Sequence, residues 1–512
     1  MILLYLLLVP FVAVFVAPLL PRRIASWLSS IAFLVPFFGI LNFIFAGFPP
    51  KETKETLITL SEPIGEFYLF SDGITSIFAL SICAVSAMVA LYAIPYMEHR
   101  FKEMGVDVES SFRKYIFIYN LYAVSMLWLV HCGNLIMLYI FLEVMLITAF
   151  LLIYMYGYGN RQWVGLLYLI WCCIAGVLTL VGFLIIAFEN GTLALDALRT
   201  VGMVAWAFIF AGMIIELPGL GPHIWLPWAH AEAPTPVSAL LSPLTVGLAG
   251  YIMLRVALID AVFFRVFTVP IFIYAAISSI YAGFSVFVQT DFKRLLAYST
   301  VSQMGYILIA LCLLGSAKEE AVKFGAMGVA VQYMSHAFGK SILFCSAGGL
   351  IALFGMRDIE KMGGLHDFVP EISNAAVIGF MNLAGILTVG MFGEFFILRG
   401  LVEAFGSNLT FILPVVFIFI LSGWYGFYTL RKVFYGRPRS SIASSAESSH
   451  ASAYLFVPLF VLGALSVLFF FPPFSSAWVP ELFKAVSVGM GGSSVVGGGV
   501  SASAAVGGGL LP

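Results

Sequence analysis

Eight ionisable side chains stand inside apolar stretches of this chain: Glu143, Glu216, His223, His230, Glu232, His336, Lys340 and Glu394. Carboxylates, imidazoles and an amine share one chemistry in such surroundings, which is to take up and release protons. A charge at the centre of a bilayer costs roughly 2.5–3.5 kcal/mol, so residues of this kind usually mark ion pathways. Other chemistries find no footing. The sequence has no HExxH, no phosphate-binding glycine loop and no nucleophile elbow, and none of these residues has metal-ligand spacing.

His336 and Lys340 are four apart, which puts them on one face of a helix. An ammonium taken out of water gives up its proton readily, so Lys340 is a usable carrier, and a histidine titrates near neutral pH anyway. Glu143 sits in NLIMLYIFLEVMLITAF with no pairing residue expected on its own helix, so its partner should lie on another. Glu394 lies in GMFGEFFIL, where glycines admit close backbone approach or water. Asp72 reads as a helix N-cap, and Lys293 with Arg294 as a solvated helix start.

His223 and His230 fall in PGLGPHIWLPWAHAEAPTPVSALLS, residues 218–242, which holds Pro218, Pro222, Pro227, Pro234 and Pro236. Proline removes a backbone donor and breaks a helix. In lipid, a broken helix is tolerated only where protein or a water-filled cavity satisfies the freed groups. This stretch therefore reads as an interrupted membrane helix lining a polar path.

These residues must be positioned by membrane helices. Of 512 residues, 62% are hydrophobic and 10% charged, against about 25% charged in a soluble domain. The net charge of −1 offers nothing to nucleic acid. The six cysteines all fall in apolar segments and read as small buried hydrophobes. Runs of about 20 apolar residues give about fourteen spans: 2–20, 24–48, 72–97, 113–131, 134–156, 163–189, 200–217, 236–259, 262–290, 295–314, 325–354, 372–398, 408–434 and 453–472. The first reads as a membrane helix rather than a signal peptide, because no charged segment precedes it. The odd-numbered connections between spans carry 15 of the 25 Lys and Arg residues. By the positive-inside rule they lie in the cytoplasm, with both termini outside.

The expected fold is an all-α polytopic membrane protein. Span 7 is broken by prolines near Glu216, and span 12 is loosened by Gly385, Gly390 and Gly393 beside Glu394. Matched interruptions five spans apart point to two inverted five-helix repeats with a site at the membrane midplane. The organisation expected is residues 1–112 for spans 1–3, 113–260 and 261–435 for the repeats, 436–473 for a polar loop and span 14, and 474–512 for a flexible Gly/Ser-rich tail.

The segments NLIMLYIFLE, HIWLPWAHAEAPTPVSALLS, TDFKRLLAYSTVSQMGYILI, HAFGKSILFCSAGG with GMRDIEKMGGL, and GMFGEFFIL occur in that order. Together, over roughly residues 70–435, the chain resembles the antiporter-like subunits of respiratory complex I, Mrp-type Na+/H+ antiporters and the membrane-bound hydrogenase and formate hydrogenlyase complexes. The resemblance implies fourteen helices, broken helices 7 and 12, and a midplane chain of ionisable groups. It places Glu143 at the helix-5 glutamate, His336 and Lys340 on the helix-11 motif, and Glu394 at the terminal helix-12 position. Three positions depart from it. Glu216 and Gly247 stand where lysines are expected, and Gln303 where a histidine is expected. Glu143 would then face a second carboxylate, and two carboxylates sharing a site tend to share a proton.

The expectation is a proton-translocating subunit of a redox-driven membrane complex, with a pathway through Glu143, Glu216, His223, His230, His336, Lys340 and Glu394. Its partners are other membrane subunits, including neighbouring antiporter-like ones, and H+ or Na+. The cofactors, iron–sulfur or nickel–iron centres, belong to partner subunits and none to this chain. An archaeal Mrp-related respiratory complex is one such setting. Two other readings stay open: a Na+/H+ antiporter subunit of an Mrp assembly, and a spacer that has lost transport, which Glu216 and Gly247 favour.

Overall fold

The computed structural model describes residues 2–46, 53–437 and 452–491. The chain begins with helices α1 (Ile2–Val16) and α2 (Arg22–Ala46). A hairpin of β1 (Thr53–Thr59) and β2 (Glu66–Ser71) follows, then α3 (Gly73–Glu103), α4 (Val108–His131), α5 (Leu135–Tyr156) and α6 (Arg161–Asn190). The region of span 7 is α7 (Met203–Glu216) and α8 (Trp225–Glu232). Span 8 is α9 (Thr235–Leu240), a π-turn over Leu241–Thr245, and α10 (Val246–Ile259). After α11 (Val262–Phe287), α12 (Phe292–Cys312) and α13 (Glu319–Phe354), span 12 divides into α14 (Pro370–Leu383) and α15 (Val389–Phe405). The chain continues through α16 (Leu409–Val433), α17 (Ala453–Phe470) and α18 (Phe474–Gly491).

Among the described residues, 11 helices are long and apolar enough to cross a membrane. The other three expected spans are α4, whose first turns carry Glu109, Arg113 and Lys114, and the two that are broken. Short polar residues start many of the helices. Asp72, Asp107, Asn134, Asp291 and Asn408 each accept a backbone N–H of the following first turn, which otherwise has no partner. Asp72 does more than cap: both its oxygens receive the Arg255 guanidinium at 2.6 Å.

The alternate connections gather at opposite ends. At one end, residues 157–160, 233–234, 288–291 and 355–358 meet: Tyr158 N donates to Glu232 O (2.7 Å) and Phe292 N to Arg357 O (3.0 Å). At the other end the hairpin meets the α4–α5 and α6–α7 connections, with Gly133 N on Tyr68 O (2.9 Å) and Leu195 N on Gly133 O (2.9 Å). The hairpin, which the span count missed, also supplies Glu55, whose carboxylate accepts Leu3 N and Leu4 N (both 2.9 Å) at the start of α1.

Two long helices form the centre. The apolar length of α3 is wholly buried. The 36-residue α13 runs about 54 Å and packs against α3, α9, α14 and α15. Small residues allow the tightest approach: a Cβ on Gly339 of α13 would stand 3.1 Å from Gly379 O of α14, the close packing that membrane helices use in place of a hydrophobic drive. One expectation is amended here and one is not reached. The polar loop at 438–451 lies outside the described residues, and the segment expected to start a flexible tail forms α18, with Trp478 and Leu482 buried against the bundle; the rest of the tail lies outside the described residues.

Candidate functional site

Glu143 lies on the third turn of α5, half-buried, with its carboxylate over Gly176 of α6, where any Cβ would overlap it. Contrary to expectation it has a polar neighbour on its own helix: the Tyr139 hydroxyl, one turn back, lies within side-chain reach of it. Glu216 is the last residue of α7 and 2% exposed, and neither of its carboxylate oxygens has a hydrogen-bond partner. Glu143, and Cys172 and Tyr168 of α6, are within electrostatic reach of it. A helix C-terminus carries partial negative charge, so a lysine would suit this place electrostatically and a carboxylate does not.

The break after Glu216 is stitched by neutral groups. Gly221 takes φ +97°, a left-handed backbone that favours glycine. Trp225 Nε1 donates to Ile215 O (3.0 Å), the Tyr274 hydroxyl to Leu220 O (2.8 Å), and Leu220 N to Ser278 Oγ (3.0 Å). His223 accepts Gly221 N at Nδ1 (3.1 Å). It lines a cavity of about 400 Å³ with Pro227, Trp228, Tyr281 and Tyr298.

The far end of α8 is handled differently. Its terminal carbonyls receive cations: Arg357 donates to Ala231 O (2.6 Å) and Lys293 Nζ to Ala233 O (2.5 Å). Lys293 is 1% exposed, so the expected solvated helix start holds only for Arg294, which lies over the Trp228 ring at 4.6 Å. Glu232, one residue from this cap, has a buried oxygen with no partner.

Lys340 is wholly buried in mid-α13. Its Nζ donates to Leu296 O (2.8 Å) and to Ser299 Oγ, both on α12; these are neutral acceptors. His336, one turn before, has both ring nitrogens unpaired, as has His230, whose ring lies 4.8 Å from that of Phe344. His230, His336 and Lys340 lie within electrostatic reach of one another.

The second break spans Ala384–Thr388, with φ +60° at Gly385 and +49° at Leu387. Leu383 O accepts both Gln303 Nε2 (3.1 Å) and Ser422 Oγ (3.1 Å), and Asn382 O accepts Ser335 Oγ (3.1 Å). Gln332 Nε2 donates to Gln303 Oε1 (2.7 Å), and Gln303 Nε2 reaches the Tyr425 hydroxyl (3.2 Å). The Glu394 carboxylate folds back over Gly385, with Oε1 unpaired.

The predicted residues thus fall into groups rather than one line. Glu143 and Glu216 stand together, as do His230, His336 and Lys340. Glu394 stands with Tyr306 and Tyr425, and His223 borders a cavity. Sequence reasoning did not name Tyr139 or Gln332, and took Lys293 for a solvated helix start. Lys293 had a signal: it shares an α12 face with Leu296, Thr300 and Gln303, all buried. Among the described residues no group of three His, Cys, Asp or Glu could hold a metal ion.

A family model described as "NADH:quinone oxidoreductase/Mrp antiporter, TM" matches residues 132–422, more than half of the chain. A Staphylococcus aureus protein provisionally named antiporter subunit mnhA2 is 26% identical over 498 residues, covering 91% of this chain. The chain spans 60% of that relative's length. Among solved structures, similar folds occur in respiratory complex I from Thermus thermophilus (TM-score 0.81, 21% identity, 97% of this chain and 100% of that one). They occur also in the Mrp complex from Dietzia sp. DQ12-45-1b (0.76, 17%, 95% and 97%) and in an archaeal membrane-bound sulfane sulfur reductase (0.77, 19%, 91% and 75%).

Proposed function

The chain belongs to the NADH:quinone oxidoreductase/Mrp antiporter transmembrane family, and we propose that it is a proton-translocating subunit of a redox-driven membrane complex. The observation that carries this reading is Lys340. A lysine with no exposure, held only by a carbonyl and a hydroxyl, beside two histidines with unpaired rings, has little structural reason to stay in a membrane; a group that changes its proton occupancy has one. Glu143, Glu216, His223, His230, His336 and Glu394 are the other members of the pathway. The protons would pass through the two five-helix units, spans 4–8 and 9–13. Redox centres and the electron donor belong to neighbouring subunits. The end rich in Lys and Arg faces the cytoplasm, in a plasma membrane, and the termini lie outside.

The test is ion pumping by inverted vesicles carrying the whole complex. Lys340→Ala should abolish it. Pumping at the wild-type rate would leave this chain a spacer, the reading that unpaired Glu216 favours. A requirement for Na+ in the medium would instead support the Mrp-type Na+/H+ exchange reading.

A further inference from the structure

Gly247 of α10 stands where the family resemblance expects a lysine, and the space beyond it is taken by another side chain. The ring of Tyr333, from α13, lies directly against its Cα, so that even a Cβ would overlap it. Tyr333 is wholly buried and stacked on Phe78 at 4.2 Å, and its hydroxyl has no partner. Two residues before Gly247, the π-turn of Leu241–Thr245 brings Thr245 Oγ1 to the Tyr122 hydroxyl of α4, both buried and hydrogen-bonded to each other. A π-turn widens a helix locally and re-aims its side chains, and such turns are frequent at functional sites. Tyr122 is within electrostatic reach of both Glu216 and Tyr333. Tyr333, His336 and Lys340 follow at i, i+3 and i+7 on a single α13 face.

We propose that Tyr122, Thr245 and Tyr333 form a hydroxyl bridge that carries protons between Glu216 and His336, taking the place of the missing lysine at position 247. The proposal rests on the proton-carrying reading above. Each hydroxyl oxygen binds the incoming proton and releases its own to the next group, so one O–H bond forms as one breaks. The protonated Glu216 carboxyl ends as carboxylate and neutral His336 as imidazolium. No oxidant, reductant or further reactant is consumed. Rotation of the hydroxyls, or one bridging water, closes the step between Tyr122 and Tyr333. A hydroxyl cannot hold a fixed charge at neutral pH as a lysine does, so the bridge passes protons without storing them.

Three substitutions that remove an oxygen while keeping its side chain's shape test this in the whole complex: Tyr122→Phe, Thr245→Val and Tyr333→Phe. Tyr119→Phe is the comparison, since Tyr119 lies one turn from Tyr122 on α4 and its hydroxyl donates to Ser86 O instead. Pumping by inverted vesicles, normalised to the amount of assembled complex, is expected to fall at least tenfold in the bridge variants and to change less than twofold in Tyr119→Phe. Wild-type pumping in any assembled bridge variant, with Lys340→Ala inactive, overturns the bridge and leaves the proton-carrying reading standing. Wild-type pumping in Lys340→Ala overturns both. An equal loss in Tyr119→Phe assigns the effect to packing and also overturns the bridge. Because the three residues lie on different helices, a variant that fails to assemble leaves the other two to decide between these outcomes.

Discussion

At the break after α7, Ile215 O, Leu220 O, Leu220 N and Gly221 N each meet a single neutral side chain, from Trp225, Tyr274, Ser278 or His223. At the break after α14, Leu383 O is served twice, by the Ser422 hydroxyl and by an amide that is itself tied to a second amide and a phenol. The far end of α8, where four connections meet, differs from both breaks in that cations take up its helix carbonyls. The pattern follows from cost. A helix C-terminus favours a cation, but burying one at the midplane is expensive, so charge is used as a cap near the membrane end and neutral groups further in. The acids then differ by position. Glu216 ends a helix, with no hydrogen-bond partner, while Glu394 lies near a helix start and reaches back over the break. Lys340, by contrast, is held by neutral acceptors alone.

Replacing the two acids should give the largest effect, at Glu394. Glu394→Ala is expected to lower pumping at least tenfold. Glu216→Lys should be tolerated, because a cation suits the C-terminal end of α7; pumping lost by Glu216→Lys and kept by Glu394→Ala would reverse the assignment. Next comes the charged cap. Lys293→Met leaves Ala233 O unpaired, so thermal unfolding of the detergent-solubilised complex should report a loss of about 1–3 kcal/mol, with Arg357→Met similar. Gln303→Ala should cost a similar amount, about 1–3 kcal/mol, because Ser422 still serves Leu383 O but the buried Gln332 amide loses its partner. Adding Ser422→Ala should then cost more than the two single changes summed.

The smallest effect serves as a reference far from both breaks. In the hairpin, the hydrogen bond from Lys54 holds the Glu66 carboxyl below its ordinary value. Its contribution is therefore present above the unfolded-chain value near 4.5 and is lost as pH falls through the lower folded value. The pair is partly exposed, so the contribution is at most about 0.5 kcal/mol. Glu66→Gln should flatten the acid side of the stability curve by that amount and leave pumping unchanged.

The spans were legible because lipid demands a run of about 20 apolar residues whatever their packing, and the first break because five prolines announce it. The second was located only roughly. Gly385 marks it, but nothing in the identity of Leu387 signals a left-handed backbone. The hairpin escaped because its strands are short and lie between two apolar runs. Lys293 was misjudged because its neighbours Asp291 and Arg294 suit a wet helix start; what buries it is a carbonyl 60 residues away in sequence. Tyr122, Thr245 and Tyr333 gave no signal at all, since phenols and hydroxyls in an apolar run look like ordinary filling. Gly247 could be flagged only as something missing, and the hydroxyls proposed in its place come from three different elements.

One geometric property of α13 sets a limit on how such a pathway can switch. Spans 7 and 12 are each jointed halfway, whereas α13 is an unbroken 36-residue shaft between them. Along that shaft Tyr333 and Lys340 are fixed about 10 Å apart, and no rigid motion of the helix changes the gap. Opening and closing must therefore happen across its flanks, by turning side chains or flexing the two joints, while the shaft serves as the ruler against which both are measured.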